Sequence, residues 1–340
     1  MKYAVVGFGT AGYHAVKKIR ELDKEGCIDV YSNTGRAPYN PMLTTYYAFG
    51  KLEYEGMFPF GDLEQIQKEV DFNLRREQVI KVHGSEHLVE TENGSEQYDR
   101  ILIATGARAF APPVKGLEPE DAFLMRTVED ALRFKDRLKK NDIKHAVVIG
   151  ASMAGIKVVE VLHKYGIETW LLDLASYIFP LAAYKEVAKE IEKRVEAQGV
   201  HLMFGVTIDH MEQENGEKTA VLTDGSRIPA DIVGLCIGTR AITETVQGEV
   251  EIGRGIVVDD HMRTSVPGIY AAGDCCEGNN LESGQNQIIG LWANANHQGE
   301  TAGINMAGGD MAYKGNILHN ITHFMNMDFI GFGDNRMQGE

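Results

Sequence analysis

Cysteine is scarce in this chain. Its four cysteines, Cys27, Cys236, Cys275 and Cys276, are too few and too badly spaced for a disulfide framework or a tetrahedral zinc site. Positive charge is also in deficit: 34 Lys and Arg stand against 49 Asp and Glu, a formal net charge of −15. That balance argues against generic nucleic-acid binding, which needs a basic face. It equally opposes association with anionic membrane surfaces. No uncharged apolar run approaches the roughly 18 residues that a membrane-spanning helix needs. The chain opens MKYAVVGFG, straight into a strand pattern and without a basic-then-apolar leader. A cytoplasmic, reducing setting is the expectation. With 340 residues, 44% hydrophobic and 24% charged, and 37 glycines, the composition is that of a soluble globular protein of about two domains with many tight turns.

What the chain does contain is two glycine-rich turns, each between a strand pattern and a helix pattern. Residues 3–6 read as a buried strand that runs into Gly7-Phe8-Gly9-Thr10-Ala11-Gly12 and then a helix over 13–22. In such a loop the first glycine makes the tight turn and the second lets backbone amides approach a pyrophosphate. The third lets the helix pack on the strand, so the phosphates meet the positive end of the helix. The same order recurs at strand 146–149, Gly150-Ala151-Ser152-Met153-Ala154-Gly155 and a helix through Tyr165. Ser152 replaces the middle glycine with another small side chain. The next strand, 169–172, ends in Asp173, 18 residues past Gly155. An acid there hydrogen-bonds the ribose hydroxyls of NADH and repels a 2′-phosphate, and Leu174 supplies no arginine for NADPH. NADH is therefore favoured. At the matching place after the first loop stand Ser32 and Asn33, which bind a ribose more weakly than a carboxylate does.

A third stretch, TSVPGIYAAGD over 264–274, is apolar and β-leaning and ends in the corner Gly273-Asp274. It delivers one carboxylate to a tight turn, as a site for a ligand hydroxyl requires. Alone it reads equally well as a strand followed by an Asx-turn.

Together these segments resemble the two-dinucleotide-binding-domain flavoproteins of the pyridine nucleotide–disulfide oxidoreductase superfamily, over nearly the whole chain from Lys2 to about Gly315. The resemblance implies an α/β fold of two Rossmann-like domains. An FAD domain over 1–113 and 250–315 is interrupted by an NAD domain over 114–249, and 316–340 is the remnant of a C-terminal domain. It implies FAD contacts at Gly7, Gly9, Thr10, Ala11 and Gly12, at Ser32 and Asn33, at Val79 and at Ala104-Thr105-Gly106. Asp274 would hold the ribitol chain. In GLWANANHQGETAG (290–303) a helix N-terminus would point at the flavin pyrimidine, with Ala295 and Asn296 as amide donors and Trp292 covering the ring. Arg36 reaches a phosphate or is a solvated loop charge. NAD would meet Gly150, Ser152, Met153, Gly155, Asp173 and Gly238.

Several departures shape the functional expectation. Disulfide reductases of the superfamily carry a Cys pair in the stretch corresponding to 36–50, and coenzyme A-disulfide and peroxide reductases carry one. This chain has Asn40, Pro41 and Met42 and no thiol there, which argues against dithiol and sulfenate chemistry. The stretch looks closer to rubredoxin and ferredoxin reductases and to the flavin portion of nitrite reductases. Tyr46 stands where those relatives place Lys, and Lys157 where the superfamily places the Glu that steers the nicotinamide. Nicotinamide docking is expected to differ accordingly. Cys236 reads as core, Cys275-Cys276 as an ordinary pair of neighbours, and His297 as a surface or packing residue. His319 and His323 lack further ligands for a metal. The Met- and Phe-rich end after Met306 is expected to pack on the flavin domain or on a partner.

The expected function is an FAD-dependent NADH:acceptor oxidoreductase without a redox-active cysteine. The acceptor would be a rubredoxin- or ferredoxin-like protein or an iron–sulfur partner subunit, with basic residues of 133–144 as a docking face. A homodimer is compatible with the sequence. The alternatives are an electron-input subunit active only inside a larger complex, and a flavin-binding regulatory or structural protein that reacts weakly with NADH.

Overall fold

The computed structural model describes residues 1–333. They form two compact units, Met1–Asn40 with Phe58–Arg108 and Arg240–Leu318, and Pro41–Met57 with Ala109–Thr239 and the segment from His319 onward.

The first unit is built on the strand Lys2–Val6. Tyr3, Ala4 and Val5 are fully buried, so the strand has no solvent face and sits at the middle of a parallel sheet. The sheet order is Ile269–Ala271, Arg100–Ile103, Lys2–Val6, Cys27–Tyr31, Asn73–Arg75, with Val5 between Val30 and Leu102. Strand order reverses on either side of Lys2–Val6, which opens a crevice at the carboxyl end of that strand. Helix Thr10–Leu22 buries Ala15, Val16 and Ile19. Helix Trp292–Met306 packs on it backbone to backbone, because any Cβ on Gly299 or Gly303 would collide with the carbonyls of Ala11 and Ala15.

The second unit repeats this plan. Its parallel sheet runs His201–Phe204, Glu168–Asp173, His145–Ile149, Ile232–Leu235, Ala122–Phe123, again with the order reversing about the glycine-loop strand. This unit also carries the helix Val128–Leu138. A capping box fixes its start: the Thr127 hydroxyl accepts from the Asp130 amide at 3.0 Å and the Asp130 carboxylate from the Thr127 amide at 2.9 Å.

Three features depart from the sequence reading. Leu43–Phe49 is a helix, ended by Gly50 at φ +83°, and its segment packs within the second unit. Asn73–Arg75 adds an edge strand to the first sheet. The C-terminal segment forms a hairpin, His319–Phe324 with Met327–Phe332, turning through Met325 and Asn326 at positive φ. It packs within the second unit, not the first, because Phe324 and Phe329 bury themselves against Phe179 with ring centroids 5.5 and 5.2 Å apart. The part of the expected remnant beyond residue 333 lies outside the described residues.

The hairpin also caps a buried charge pair. Lys157 and Glu160, 2% and 6% exposed, face each other on helix Met153–Lys164. The Lys157 ammonium donates to the His323 carbonyl at 2.7 Å and lies 4.5 Å from the centre of the Tyr46 ring. Glu160 accepts from the Lys51 ammonium and from the Met325 amide, each at 3.1 Å. The two residues that break the family pattern, Tyr46 and Lys157, therefore meet as a cation and an aromatic face. Burial pulls the Lys157 pKa down against the pull of Glu160. Burial pushes Glu160 up, but its bonds to Lys157 and Lys51 outweigh this and hold it below the usual carboxylate value.

Removing Glu160 strands Lys157 in the interior, so Glu160→Leu is expected to lower unfolding stability by about 3–5 kcal/mol. Lys157→Met is expected to cost less, because Lys51 still partners Glu160. The lowered Glu160 pKa gives a sign for acid: its contribution is complete above the usual value of 4.5 and is lost as pH falls through the lower folded value. Urea unfolding of wild type and both variants at several pH values checks the order and the sign.

Candidate functional site

Each unit carries a cradle at the carboxyl end of its central strand. In the first, Gly7 takes φ +102° and its missing Cβ lets it lie against the Ala104 carbonyl, while Gly12 lies against the Gly7 carbonyl. Gly9 differs from both. No atom stands within 4 Å of the place its Cβ would occupy, and its φ of −80° is ordinary, so its bare side faces open space at the helix N-terminus. Gly106, at φ +71°, is equally open.

Ala104 and Gly273 lie against this loop. The Ala104 amide bonds to Val6 at 2.8 Å, and the Thr105 hydroxyl is committed to the Ile242 carbonyl at 2.6 Å. Thr10, nearly buried, donates its hydroxyl to the Asn296 side chain. A Cβ on Gly273 would lie 3.1 Å from that of Ala11 and 3.7 Å from that of Ala295. The Gly273-Asp274 corner thus sits where the starts of helices Thr10–Leu22 and Trp292–Met306 converge, with Asp274 partly exposed. Two helix N-termini and a carboxylate in one place suit a ligand with both phosphate and hydroxyl groups.

Just past strand Cys27–Tyr31, Asn33 donates to Gln78 at 2.8 Å and Gln78 donates to the Val79 carbonyl at 3.0 Å. Gln78 therefore ties together two predicted contacts and was missed, having no motif to mark it. The Ser32 hydroxyl lies 3.4 Å from that of Thr34, whose side chain also accepts from the Arg36 amide at 3.3 Å.

Trp292 stacks on Phe60 with centroids 5.6 Å apart, and Phe60 stacks on Tyr13 at 4.3 Å. The Trp292 indole N–H is a buried donor with no partner among the described residues, whereas the Gln298 side-chain nitrogen lies against Gly278. An unpaired buried donor fits a group rich in acceptors, as the pyrophosphate and flavin carbonyls of FAD are. His297 is exposed.

Cys27 is exposed and the other three cysteines are buried, and the hydrogen bond between Cys275 and Cys276 pulls the Cys275 thiol down against its burial. Cys275 and Cys276 are fully buried and unlinked, donating to the Ile103 and Gly273 carbonyls at 3.3 and 3.4 Å. The neighbouring Cys275 and burial push the Cys276 thiol well up. Burial alone pushes Cys236 up to about 12.

In the second unit Gly150, at φ +107°, lies against the Cys236 carbonyl and Gly155 against the Gly150 carbonyl. Ser152 caps helix Met153–Lys164, accepting from the Gly155 amide at 3.2 Å and donating to the Cys236 carbonyl at 3.0 Å. Asp173 spans the loop: one carboxylate oxygen accepts from the Ala151 amide at 2.7 Å, the other from the Ala175 amide at 2.8 Å. Each oxygen keeps a lone pair for a ribose hydroxyl. Gly238, at φ +105°, has open space where a Cβ would stand, and its carbonyl accepts from the Phe110 amide at 2.9 Å. His319 and His323 stand on a strand, and His323 pairs with Asp328 at 2.7 Å.

Residues 1–299 match the sequence profile described as pyridine nucleotide-disulphide oxidoreductase. The chain is 28% identical over 337 residues to the NADH-dependent phenylglyoxylate dehydrogenase subunit epsilon of Aromatoleum evansii, covering 98% of this chain and 79% of that one. It is 27% identical over 287 residues to the rubredoxin-NAD(+) reductase of Pseudomonas putida, covering 83% and 73%. A NAD-dependent persulfide reductase from A. fulgidus superposes with a TM-score of 0.89 at 26% identity, over 96% of this chain and 62% of that one, so the chain spans just under two thirds of that protein.

The unequal surroundings of the glycines separate folding from binding. Gly12→Ala is expected to cost about 1–3 kcal/mol through overpacking. Gly9→Ala is expected to leave thermal unfolding of the cofactor-free chain unchanged while loosening flavin retention. Melting curves and flavin absorbance after gel filtration check both.

Proposed function

Because the chain belongs to the pyridine nucleotide-disulphide oxidoreductase family, we propose that it is an FAD-dependent NADH:acceptor oxidoreductase that works without a redox-active cysteine. The observation that carries this reading is the pair of cradles, one per unit, whose Gly9 and Gly238 turn bare sides to open space. We assign FAD to the first unit and NADH to the second.

Bound FAD supplies a hydride acceptor that releases electrons singly, the chemistry a chain without a reactive thiol needs to serve a one-electron partner. The chain supplies orientation and charge. The amide-rich starts of the helices at Thr10 and Met153 hold pyrophosphates. Asp274 accepts from a ribitol hydroxyl, and the amides near Ala295 and Asn296 favour negative charge on the flavin pyrimidine. Asp173, fixed by two backbone amides, binds a ribose diol and excludes a 2′-phosphate. Lys157 plays no part in steering the nicotinamide, since Glu160, His323 and Tyr46 hold its ammonium.

The acceptor is a redox protein or an iron–sulfur partner subunit. The basic face over 133–144 supports the first choice weakly, because Arg137 pairs with Asp142, Lys139 with Asp136 at 2.7 Å, and Lys135 with the Tyr47 carbonyl at 3.1 Å. The hairpin favours the second. Ile321 and Ile330 are cross-strand partners, 63% and 62% exposed, and Phe332 is 72% exposed, an outward apolar face suited to burial in an assembly.

Steady-state oxidation of NADH and NADPH with ferricyanide as acceptor tests the nucleotide assignment. NADH is expected to be preferred at least about tenfold, the equivalent of one lost hydrogen-bonded contact, and Asp173→Ala combined with Leu174→Arg is expected to reverse the preference. Equal use of both nucleotides by the wild type would count against it.

A further inference from the structure

Helix Trp292–Met306 turns a polar stripe inward, of Asn294, Gln298, Thr301 and Asn305. Gln298 is 1% exposed, and its side-chain oxygen accepts from the Gly273 amide at 2.8 Å and from the Cys276 thiol at 3.7 Å. Gly273 is where the chain leaves the sheet. The Ala272 amide still bonds to Ile103 at 3.0 Å, but Gly273 turns to φ +87°, and its own amide points at Gln298 instead. A glycine at positive φ has many conformations to choose from. The bond from the neighbouring helix selects one, and the next residue is Asp274.

We propose that Gln298 is a positioning residue for Asp274: its side-chain carbonyl fixes the Gly273 peptide and so sets the direction in which the Asp274 carboxylate leaves the turn toward the flavin ribitol chain. The proposal rests on the assignment of FAD to the first unit. The chemistry of the side chain suits the task. Asparagine is one methylene too short, methionine fills the volume but accepts only weakly, and an ionised glutamate would bury a second negative charge near Asp274. Gln298 is neutral, long enough and an acceptor. The next residue, Gly299, lies against the Ala11 carbonyl, so the same turn of helix fixes the corner and the approach to the phosphate loop.

The test measures FAD affinity by flavin fluorescence on the apoprotein, together with the flavin midpoint potential, for wild type, Gln298→Met, Asp274→Asn and the double variant. Loss of one buried hydrogen bond predicts that Gln298→Met binds FAD about tenfold more weakly, with a shifted potential. If Gln298 acts through Asp274, the double variant binds no more weakly than Asp274→Asn alone. Additive losses, or an unchanged affinity in Gln298→Met, would overturn the proposal. Unchanged affinity in Asp274→Asn would instead sink the FAD assignment of the corner. Should Gln298→Met fail to fold, Gln298→Glu answers the same question. Below about pH 6, where a buried carboxyl is protonated and has the amide's shape, it is expected to bind FAD as wild type does and to loosen as pH rises. Weak binding at low pH would overturn the proposal.

Discussion

The first unit depends on one close contact, between the backbones of helices Thr10–Leu22 and Trp292–Met306. Gly299 and Gly303 permit it, since a methyl group at either would meet a carbonyl of the other helix. The approach brings two helix starts to the end of the same strand, and there the Gly273-Asp274 corner meets Ala11 and Ala295. Each helix start carries unpaired amides and a partial positive charge. On the proposed assignment, their convergence is what suits an ordinary strand–helix turn to a large anionic cofactor.

The second unit uses the same glycine-loop logic but stabilises its helix differently. Gly155 sits on Gly150, Ser152 caps the helix start, and two turns on the helix carries the buried Lys157–Glu160 pair. Backbone groups of the C-terminal hairpin complete that pair, at His323 and Met325. A charge pair this deep is costly unless every member is satisfied. The hairpin meets that need in the chain, and it leaves an apolar face turned outward.

Both glycine loops, their strands and helices, and the terminal acid at Asp173 were legible because they are local. Spacing alone says what each glycine must do. The Leu43–Phe49 helix was not legible, since its Thr-, Tyr- and Phe-rich sequence favours strands as much as helices, and the surrounding lysines hold it: Lys135 and Lys164 donate to its Tyr47 and Phe49 carbonyls. Tyr46 and Lys157 each looked like a missing half of a familiar pair, and only the fold shows them as partners of each other. Gln78 and Gln298 were invisible as site residues for a related reason. Each acts on another residue's backbone, at Val79 and Gly273, and no spacing rule connects them. The hairpin was read from what relatives carry after this point, whereas Phe179 decides where it packs.

The central claim is that the two cradles serve one electron path, from NADH to a flavin, with no thiol between them. An anaerobic titration of the flavin-loaded protein with NADH, followed by visible absorbance, addresses it directly. The account predicts stoichiometric bleaching of the flavin band within seconds, with one NADH per flavin and no second equivalent taken up by a dithiol. A flavin band that NADH leaves unchanged, or bleaching that consumes two NADH per flavin, would contradict it.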